Sequence, residues 1–356
     1  MAEKAHPTRI INSVAPIRVC DNGGWTDTWF AGHGKIFNIG VYPYVEVQIE
    51  VYSHPTLESR VILNAENFGQ RYAVFPKHER HEWTHHPLLE AAIDYMGVPS
   101  DLSVQISIFS EAPAGCSTGT SASVSVALIG ALDQLTPGRI APLEAAYAAH
   151  RIETEILGQQ SGIQDQLCAA FGGINYIEMF EYPFAAVSPM YLPNPTWWEL
   201  ERRLSLLFLG RSHSSSDVHE MVIHGLEDKG PDNPKLEALR QNAQRSRDAV
   251  YAGDFAALGK AMVANTEAQR NLHPGLVSTD AQQIIRIAKD YGALGWKVNG
   301  AGGEGGSLTL LSGPSMSRKR AMIRTIEETN PLFQNIPIYL SRFGLRVWTR
   351  QADNTD

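Results

Sequence analysis

Residues 102–132 restrict the possible folds more than any other stretch, because a strand, a loop and a helix pattern follow one another without a break. "LSVQISIF" (102–109) alternates apolar and polar residues, as a half-buried strand does. The small-residue loop "PAGCSTGTSAS" (113–123) follows, and an apolar helical pattern then runs to "TPG" (136–138). A helix that begins directly after a glycine-bearing loop can bind a phosphate on its free N–H groups, although the lysine of G-x-x-x-x-G-K-[ST] is missing. The same pattern also fits a loop that Ser or Thr caps before a core helix.

The composition is that of an ordinary globular protein. Of the 356 residues, 43% are hydrophobic and 19% are charged, and the formal net charge is −8. This balance, without a run of Lys or Arg, argues against nucleic acid as a partner. Three scattered cysteines predict no disulfide framework, and no stretch resembles a signal core or a membrane span. We therefore expect a cytoplasmic protein, a monomer or homodimer, that binds neither a membrane nor nucleic acid.

An aspartate lies at the start of a second predicted helix, in "SGIQDQLCAAFGG" (161–173). Ser161 and Gln164 have the spacing of a capping box, which puts Asp165 in the first turn. A carboxylate there is favoured by the helix dipole, and at the edge of a pocket it can accept a hydroxyl proton. An ordinary helix-start aspartate has the same pattern.

Two more segments contain glycine clusters. "GWKVNGAGGEGGSLTLL" (295–311) has more glycines than a hairpin needs, which indicates backbone packed against a ligand or another loop. In "APIRVCDNGGWTDTWF" (15–30), Arg18 lies on an early strand and can stabilise phosphoryl charge. Asp27 can bind substrate hydroxyls, or it can form an Asx turn after the glycine pair.

The order of the predicted elements is strands, then helices, then strands, which favours an α+β fold. The prolines and irregular spacing of 184–199 predict a crossing between two domains, residues 1–190 and residues 200–356.

Together and in this order, the motifs resemble the galactokinase, homoserine kinase, mevalonate kinase and phosphomevalonate kinase (GHMP) superfamily. The matching segments are "PIRVCDNGGWTD", "PAGCSTGTSAS", "SGIQDQ" and "NGAGGEGG", and the resemblance spans roughly residues 12 to 350. It implies a two-domain fold, with an N-terminal domain like ribosomal protein S5 domain 2 and a ferredoxin-like C-terminal domain. It also implies ATP and Mg²⁺ as cofactors and an active site between the domains.

The resemblance assigns roles to single residues. Asp165 would orient or deprotonate the acceptor hydroxyl, and Arg18 would lie near it and near the transferred phosphoryl group. The nucleotide phosphates would bind Gly115, Cys116, Ser117, Thr118, Gly119, Thr120, Ser121, Gly302 and Gly303. The Mg²⁺ ligands would be Ser121 or its neighbour Thr120, and Glu153 or the alternative Glu155. The sugar would contact Gly24, Thr26, Asp27 and Gly300.

"GGWTDT" and "IETEILGQQSGIQDQLCAAFGGINYIEM" most resemble the branch of D-glycero-D-manno-heptose 7-phosphate kinases and L-fucose kinases, which phosphorylate an anomeric hydroxyl. The resemblance therefore implies an ATP-dependent kinase of a heptose 7-phosphate or fucose-like aldose. The polar segment "GRSHSSSDVHEMV" (210–222) would bind the far end of the sugar through Arg211, His213 and Ser214–Ser216, or it forms a solvated start of a helix.

The sequence departs from the family pattern at three places. Thr118 and Thr120 replace the more common leucine and serine, Glu304 replaces a glycine, and "CDNGG" replaces apolar residues and a glycine. The altered phosphate loop and Glu304 motivate an alternative function, a catalytically weak sugar-binding regulatory protein on the same fold.

Overall fold

The computed structural model describes residues 6–75, 82–211, 216–226 and 229–351, and in these ranges the strands form two sheets. The strands are β1 (Arg9–Asn22), β2 (Gly34–Ser53), β3 (Val61–Ala65), β4 (Gln70–Ala73), β5 (Leu102–Ser110), β6 (Ile174–Glu181), β7 (Phe184–Met190), β8 (Leu204–Phe208), β9 (Gly295–Val298), β10 (Ser307–Leu311), β11 (Gln334–Ile336), β12 (Tyr339–Leu340) and β13 (Arg346–Gln351). The helices are α1 (Pro87–Met96), α2 (Thr120–Asp133), α3 (Pro142–Arg151), α4 (Gln164–Phe171), α5 (Asn194–Arg203), α6 (Ser216–Leu226), α7 (Pro234–Tyr251), α8 (Phe255–Leu272), α9 (Thr279–Asp290) and α10 (Met316–Thr329). The α+β prediction is confirmed.

The long strand β2 organises the first sheet, which has nine strands. β2 pairs with β1 on one side and with β5 and then β6 on the other, all antiparallel. Its predicted alternation is present, because Val45, Val47, Ile49 and Val51 are buried whereas Gln48 is exposed. Helices α1 to α4 cover the apolar side of this sheet.

The second sheet has four antiparallel strands in the order β11-β8-β10-β9. Apolar residues of α9 and α10, such as Ile284 and Met322, pack on it. A separate apolar cluster joins the two sheets, since Val19 and Phe37 of the first belong to the same cluster as Leu206 of β8. Full burial of one such side chain contributes about 1.5–3 kcal/mol. The cluster therefore holds the end of β1, with Arg18, firmly against the second sheet.

The segment 184–199, predicted as an irregular crossing, is instead strand β7 followed by the first turns of α5. Among the described strands, β7 pairs with β6 alone, and an edge strand can accommodate Pro189 because one side of it needs no N–H donor. Pro195 lies in the first turn of α5, where a missing N–H is also tolerated.

The end of the chain returns to the first sheet, where β13 pairs with β1 and β12 pairs with β2. The division into residues 1–190 and 200–356 stays a prediction, and this return is a feature that it did not include. Of the helices in the described ranges, none combines the length and the apolar character needed to span a bilayer.

Candidate active site

A cavity of about 400 Å³ lies where the end of β1, the loop before α2, the start of α4 and the loop after β9 meet. Both sheets contribute to it. Its walls include Arg18, Asp27 and Asp165, together with residues 115–121 and Gly300. The four motifs that the sequence singled out are therefore brought together in one place.

Arg18 and Asp165 form a two-pronged ion pair in this cavity. Arg18 Nε donates to Asp165 Oδ1 at 2.8 Å, and Arg18 Nη2 donates to Asp165 Oδ2 at 3.1 Å. Arg18 is buried, whereas the Asp165 side chain is 27% exposed towards the cavity. Burial alone would lower the pKa of Arg18, but the charges of Asp165 and Asp21 outweigh it and raise that pKa. Arg18 is thus a permanent cation beside a carboxylate that a ligand can reach.

The loop before α2 leaves the N-terminus of this helix open. Gly119 precedes the first turn in a left-handed conformation (φ 69°), and no side chain in the described part of the chain caps the helix. The alternative interpretation, a loop capped by Ser or Thr, is therefore wrong for α2. Its first N–H groups and its positive dipole end can bind an anion. A Cβ at Gly119 would lie 3.1 Å from Asp165 Cγ, so the loop also needs glycine for close approach to Asp165.

The hydroxyl side chains of this loop have different surroundings. Thr118 is buried, and its Oγ1 lies 3.2 Å from Oγ1 of Thr120. Thr120 and Ser121 line the cavity at the first turn of α2. Cys116 is buried beneath the loop, and its carbonyl accepts a hydrogen bond of 2.6 Å from Ser307 Oγ.

The glycine loop after β9 packs on the loop before α2. A Cβ at Gly300 would lie 3.2 Å from the Ser117 carbonyl oxygen, and one at Gly306 would lie 2.7 Å from Ser117 Oγ. Gly302 and Gly303 are not among the described residues that line the cavity. Both have a positive φ, and the turn that they form packs against Leu276. Gly303 N donates to the Leu276 carbonyl at 3.0 Å. These two glycines support the loop from behind.

Glu153 and Glu155 lie on a single π-type turn, Ile152–Ile156, that directly follows α3. The Glu155 side chain is 64% exposed and pairs with Arg151. Glu153 is buried, and its Oε2 accepts hydrogen bonds from Ser161 Oγ at 2.9 Å and Gln166 Nε2 at 2.8 Å. Its Oε1 is buried without a hydrogen-bond partner among the described residues. Burial raises the pKa of Glu153 to about 7, and the charge of Asp165 adds to this rise.

Asp165 lies in the first turn of α4, as predicted, but the predicted capping box is wrong. Ser161 donates its hydroxyl to Glu153 instead of accepting from the helix. Asp27 Oδ2 accepts from Gln164 N at 3.0 Å, so a carboxylate from a distant segment binds the start of α4. Burial raises the pKa of Asp27 to about 6, although the hydrogen bond from Gln164 opposes the rise.

Three other residues that were predicted to contact the sugar are not among the described residues that line this cavity. Thr26 is buried, and its hydroxyl donates to the Gly23 carbonyl at 2.7 Å, which stabilises the turn. Gly24 is buried against Asp21 and Gln164. Arg211 is exposed, and its carbonyl accepts from Gly306 N at 3.2 Å. His213, Ser214 and Ser215 lie outside the described residues, as does the Ser216 side chain.

An aromatic wall and a buried carboxylate of this cavity were not predicted from the sequence. Trp25, Trp29 and Phe30 line the cavity next to Asp27. The Trp29 ring is partly exposed, with Phe30 edge-on at 5.3 Å and Tyr182 at 6.4 Å between ring centroids. The aromatic run in "GGWTDTWF" was the available signal for this wall. Asp21, which also lines the cavity, had no local signal because its partners are distant in sequence.

Comparisons with known proteins identify the family and the fold of this chain. The family model described as GHMP kinases N terminal domain matches residues 87–173, and the one described as GHMP kinases C terminal matches residues 246–315. A D-glycero-alpha-D-manno-heptose 7-phosphate kinase from Campylobacter jejuni is 26% identical over 247 residues, which are 69% of this chain and 71% of that protein. A mevalonate kinase from Thermococcus onnurineus is 30% identical over 254 residues, which are 68% of this chain and 69% of that protein.

A solved structure has the same fold. The crystal structure of a D-glycero-D-manno-heptose 1-phosphate kinase from Bacteroides thetaiotaomicron superposes with a TM-score of 0.72 at 22% identity, and the match covers 95% of this chain and 98% of that one. The two-domain architecture expected from the resemblance is therefore confirmed. With both family models matched in the expected order and a relative 30% identical over two thirds of both sequences, the chain belongs to the GHMP kinase family, whose members are phosphotransferases that act on an alcohol group.

Proposed function

We propose that this kinase transfers the γ-phosphoryl group of ATP to the anomeric hydroxyl of a sugar, either a heptose 7-phosphate or a fucose-like aldose. The observation that carries the proposal is the Arg18–Asp165 pair, which lies between an open helix N-terminus and a wall that contains Asp27 and Trp29. The similarity to a heptose 7-phosphate kinase supports the sugar phosphate in particular.

The donor phosphates would bind the loop of residues 115–121. The uncapped N–H groups at the start of α2 and its positive dipole end favour an anion there. Gly300 supports this loop through its packing on Ser117. A lysine is not needed in such a loop, since phosphoryl transfer depends on positioning and on the total electrostatic stabilisation of the phosphates.

Asp165 would accept the proton of the acceptor hydroxyl. The hydroxyl oxygen then forms a bond to the γ-phosphorus, and the bond from this phosphorus to the oxygen bridging it to the β-phosphate breaks. ADP leaves with that electron pair. Arg18 holds the Asp165 carboxylate by two hydrogen bonds, and its charge stabilises the negative charge on the transferred group.

The residues present fit a magnesium ion. Ser121 or Thr120 offers a hydroxyl at the cavity. Glu153 is not among the described residues that line the cavity, but it contacts Ser161, which does line it, and one of its carboxylate oxygens has no hydrogen-bond partner in the described part of the chain. These oxygen atoms are the hard ligands that Mg²⁺ prefers, and Glu153 fits better than the exposed Glu155. The described residues contain no group of three or more His, Cys, Asp or Glu placed to hold a metal, which suits an ion bound largely by substrate phosphates. When bound, Mg²⁺ neutralises phosphate charge.

The acceptor would lie against Asp27 and the aromatic wall. A carboxylate accepts hydrogen bonds from sugar hydroxyls, and an indole ring packs well on the C–H surface of a sugar ring. This combination favours a polyhydroxylated acceptor over an extended apolar one. Thr26 and Gly24 would act indirectly, because they shape the turn that carries Asp27.

The structure weakens one of the two reasons for the alternative function, a sugar-binding regulatory protein. Glu304 is exposed and does not contribute to the described walls of the cavity. The other reason, the altered phosphate loop, still leaves a hydroxyl at Thr120.

The three free cysteines and the use of ATP support a cytoplasmic location, and a monomeric or homodimeric state stays a prediction.

A panel of acceptors tests the proposal. The purified protein is mixed with Mg·ATP and with heptose 7-phosphate, L-fucose, galactose, mevalonate or homoserine, and ADP release is measured. We expect release with the heptose phosphate or with fucose, and a phosphate on the anomeric carbon by ³¹P NMR. Turnover with mevalonate or homoserine alone would contradict the proposed sugar acceptor.

A further inference from the structure

Asp21 is a fully buried carboxylate that joins several parts of the active site. Its Oδ1 lies 3.2 Å from Lys297 Nζ, and its Oδ2 lies 3.8 Å from Arg18 Nη2. Both oxygens accept from Gly300 N, at 3.2 Å and 3.0 Å. One side chain at the end of β1 therefore contacts Arg18, the glycine loop and strand β9 of the second sheet.

The partners of Asp21 are themselves connected through the donor loop. Arg18 Nη1 donates to the Ser117 carbonyl at 2.5 Å, and Gly300 packs on Ser117 so closely that a Cβ would lie 3.2 Å away. Asp21, Gly300, Ser117 and Arg18 thus form a closed ring of contacts. A displacement of Asp21 would be passed to the donor loop and to the guanidinium that holds Asp165.

We propose that Asp21 is a positioning residue, which sets the places of Arg18 and Gly300 relative to the donor loop, and that Lys297 acts as its counter-ion. The inference rests on the proposed kinase function for its catalytic consequence. It goes beyond that function because Asp21 belongs to "CDNGG", a segment in which this chain departs from the family pattern.

Lys297 has the surroundings of a structural counter-ion. Lys297 is 1% exposed and is not among the described residues that line the cavity. Its ammonium group donates hydrogen bonds to Gln269 Oε1 at 3.2 Å and to the Val298 carbonyl. Burial lowers the pKa of Lys297, and the charge of Asp21 opposes this. Gln269 Nε2 donates to the Gly300 carbonyl at 2.8 Å, so the Lys297–Gln269 pair and Asp21 hold Gly300 from both sides.

The charge of Asp21 matters most during phosphoryl transfer. Arg18 is shared between Asp165 and Asp21 while both are ionised. Once Asp165 has taken the hydroxyl proton, its attraction for Arg18 weakens. Asp21 then remains as a carboxylate near Arg18, and it keeps the guanidinium in place next to the transferred group.

Two double variants separate positioning from simple charge balance. Asp21→Leu with Lys297→Met removes both charges and the acceptor for Gly300, whereas Asp21→Asn with Lys297→Met removes the charges but keeps an acceptor. Replacing a buried ion pair by apolar residues often leaves stability nearly unchanged, so we expect both variants to melt close to the wild type. Thermal melting, kcat, the acceptor KM and the Kd of Mg·ATP are measured for each.

We expect kcat of the Leu variant to fall by about tenfold or more, with an unchanged acceptor KM, because misplaced catalytic groups slow the chemical step. The Asn variant should lie between it and the wild type. A folded Leu variant with wild-type kcat would overturn the proposal. If the Leu variant does not fold, the Asn variant decides: reduced kcat supports the proposal, and wild-type kcat overturns it.

The nucleotide measurement keeps this inference distinct from the proposed function. If the wild type turns over no aldose, the proposed function fails, but Mg·ATP binding still reports on the donor loop. In the Leu variant, Gly300 N loses its carboxylate acceptor and only the Gln269 hydrogen bond to the Gly300 carbonyl remains, so we expect the Kd of Mg·ATP to rise by about tenfold. An unchanged Kd in that case would overturn the role of Asp21.

Discussion

A methyl group added at Gly119 would lie 3.1 Å from both Cγ and Oδ2 of Asp165. The substitution Gly119→Ala has two separate effects. It forces a residue with a side chain into a left-handed conformation, and it pushes on the carboxylate that we propose as the proton acceptor. Gly69→Ala is a matched control, because Gly69 has a similar φ of 61° but no atom within 4 Å of the added methyl group.

The two effects have different sizes and different readouts. A left-handed conformation disfavours alanine by about 1–2 kcal/mol. A chain of 356 residues has an unfolding entropy of about 0.7 kcal/mol/K, so both variants should lose about 1–3 °C in Tm. A contact of 3.1 Å is tighter than ordinary van der Waals contact, so Asp165 must move by a few tenths of an ångström. A misplacement of about 1 Å can slow catalysis about 100-fold, and we therefore expect about a tenfold lower kcat for Gly119→Ala only.

The assay combines thermal melting with ADP release at saturating Mg·ATP and acceptor. Gly69→Ala should retain the wild-type kcat, since its added methyl group lies more than 4 Å from every non-neighbouring residue that the structure describes. Equal kcat values for the two variants would refute the close packing of Gly119 on Asp165 as a requirement for catalysis. A larger loss of Tm in Gly119→Ala, without a loss of kcat, would lead to the same conclusion.

Substitutions at three further residues test the walls of the cavity. Arg18→Lys keeps the positive charge but loses the two-pronged contact with Asp165. One lost charge-assisted hydrogen bond is worth about 1.5–3 kcal/mol, so kcat should fall about 10- to 150-fold. Arg203→Lys alters a comparable pair with Glu199 outside the cavity and should leave kcat unchanged; equal losses in both would refute a specific role of Arg18. Burial raises the pKa of Asp27 from 3.8 to about 6, so kcat/KM for the acceptor should decrease as the pH falls through 6, and Asp27→Asn should remove this dependence. The folded state binds this proton more tightly than the unfolded state does, so the contribution of Asp27 to stability should decline between about pH 4 and pH 6 as the pH rises. Thermal melts should show this decline for the wild type but not for Asp27→Asn. Parallel curves for the two proteins would contradict the raised pKa of Asp27. Trp29→Ala should raise the acceptor KM about tenfold with an unchanged KM for ATP, and Trp29→Phe should raise it less; an unaltered acceptor KM in the alanine variant would exclude stacking.

The local parts of the site could be predicted from the sequence. The strand before the donor loop, the helix after it and the alternation of β2 depend on neighbouring residues, so their periodicity is visible in the chain. Arg18 and Asp165 are 147 residues apart, and only the resemblance to a family linked them. The six residues of β13 are mostly exposed, so no buried alternation indicated that strand.

Tertiary contacts overturned one local prediction and added one contact that no local pattern predicted. Ser161 and Gln164 have the spacing of a capping box, but Asp27 binds the Gln164 N–H instead. A carboxylate is a stronger acceptor than a hydroxyl, and it lies 137 residues away in sequence, where no local pattern reveals it. The contact of Asp21 with Gly300 spans 279 residues and was missed for the same reason.

The most direct measurement of the central claim compares the wild type with Asp165→Asn in acceptor-dependent ADP formation, with the Kd of Mg·ATP measured on the same preparations. The substitution keeps the size of the side chain but removes its ability to take a proton. We expect kcat to fall by about 100-fold or more while nucleotide binding is retained. An Asp165→Asn enzyme that keeps the wild-type kcat would contradict the assignment of Asp165, and with it the proposed mechanism.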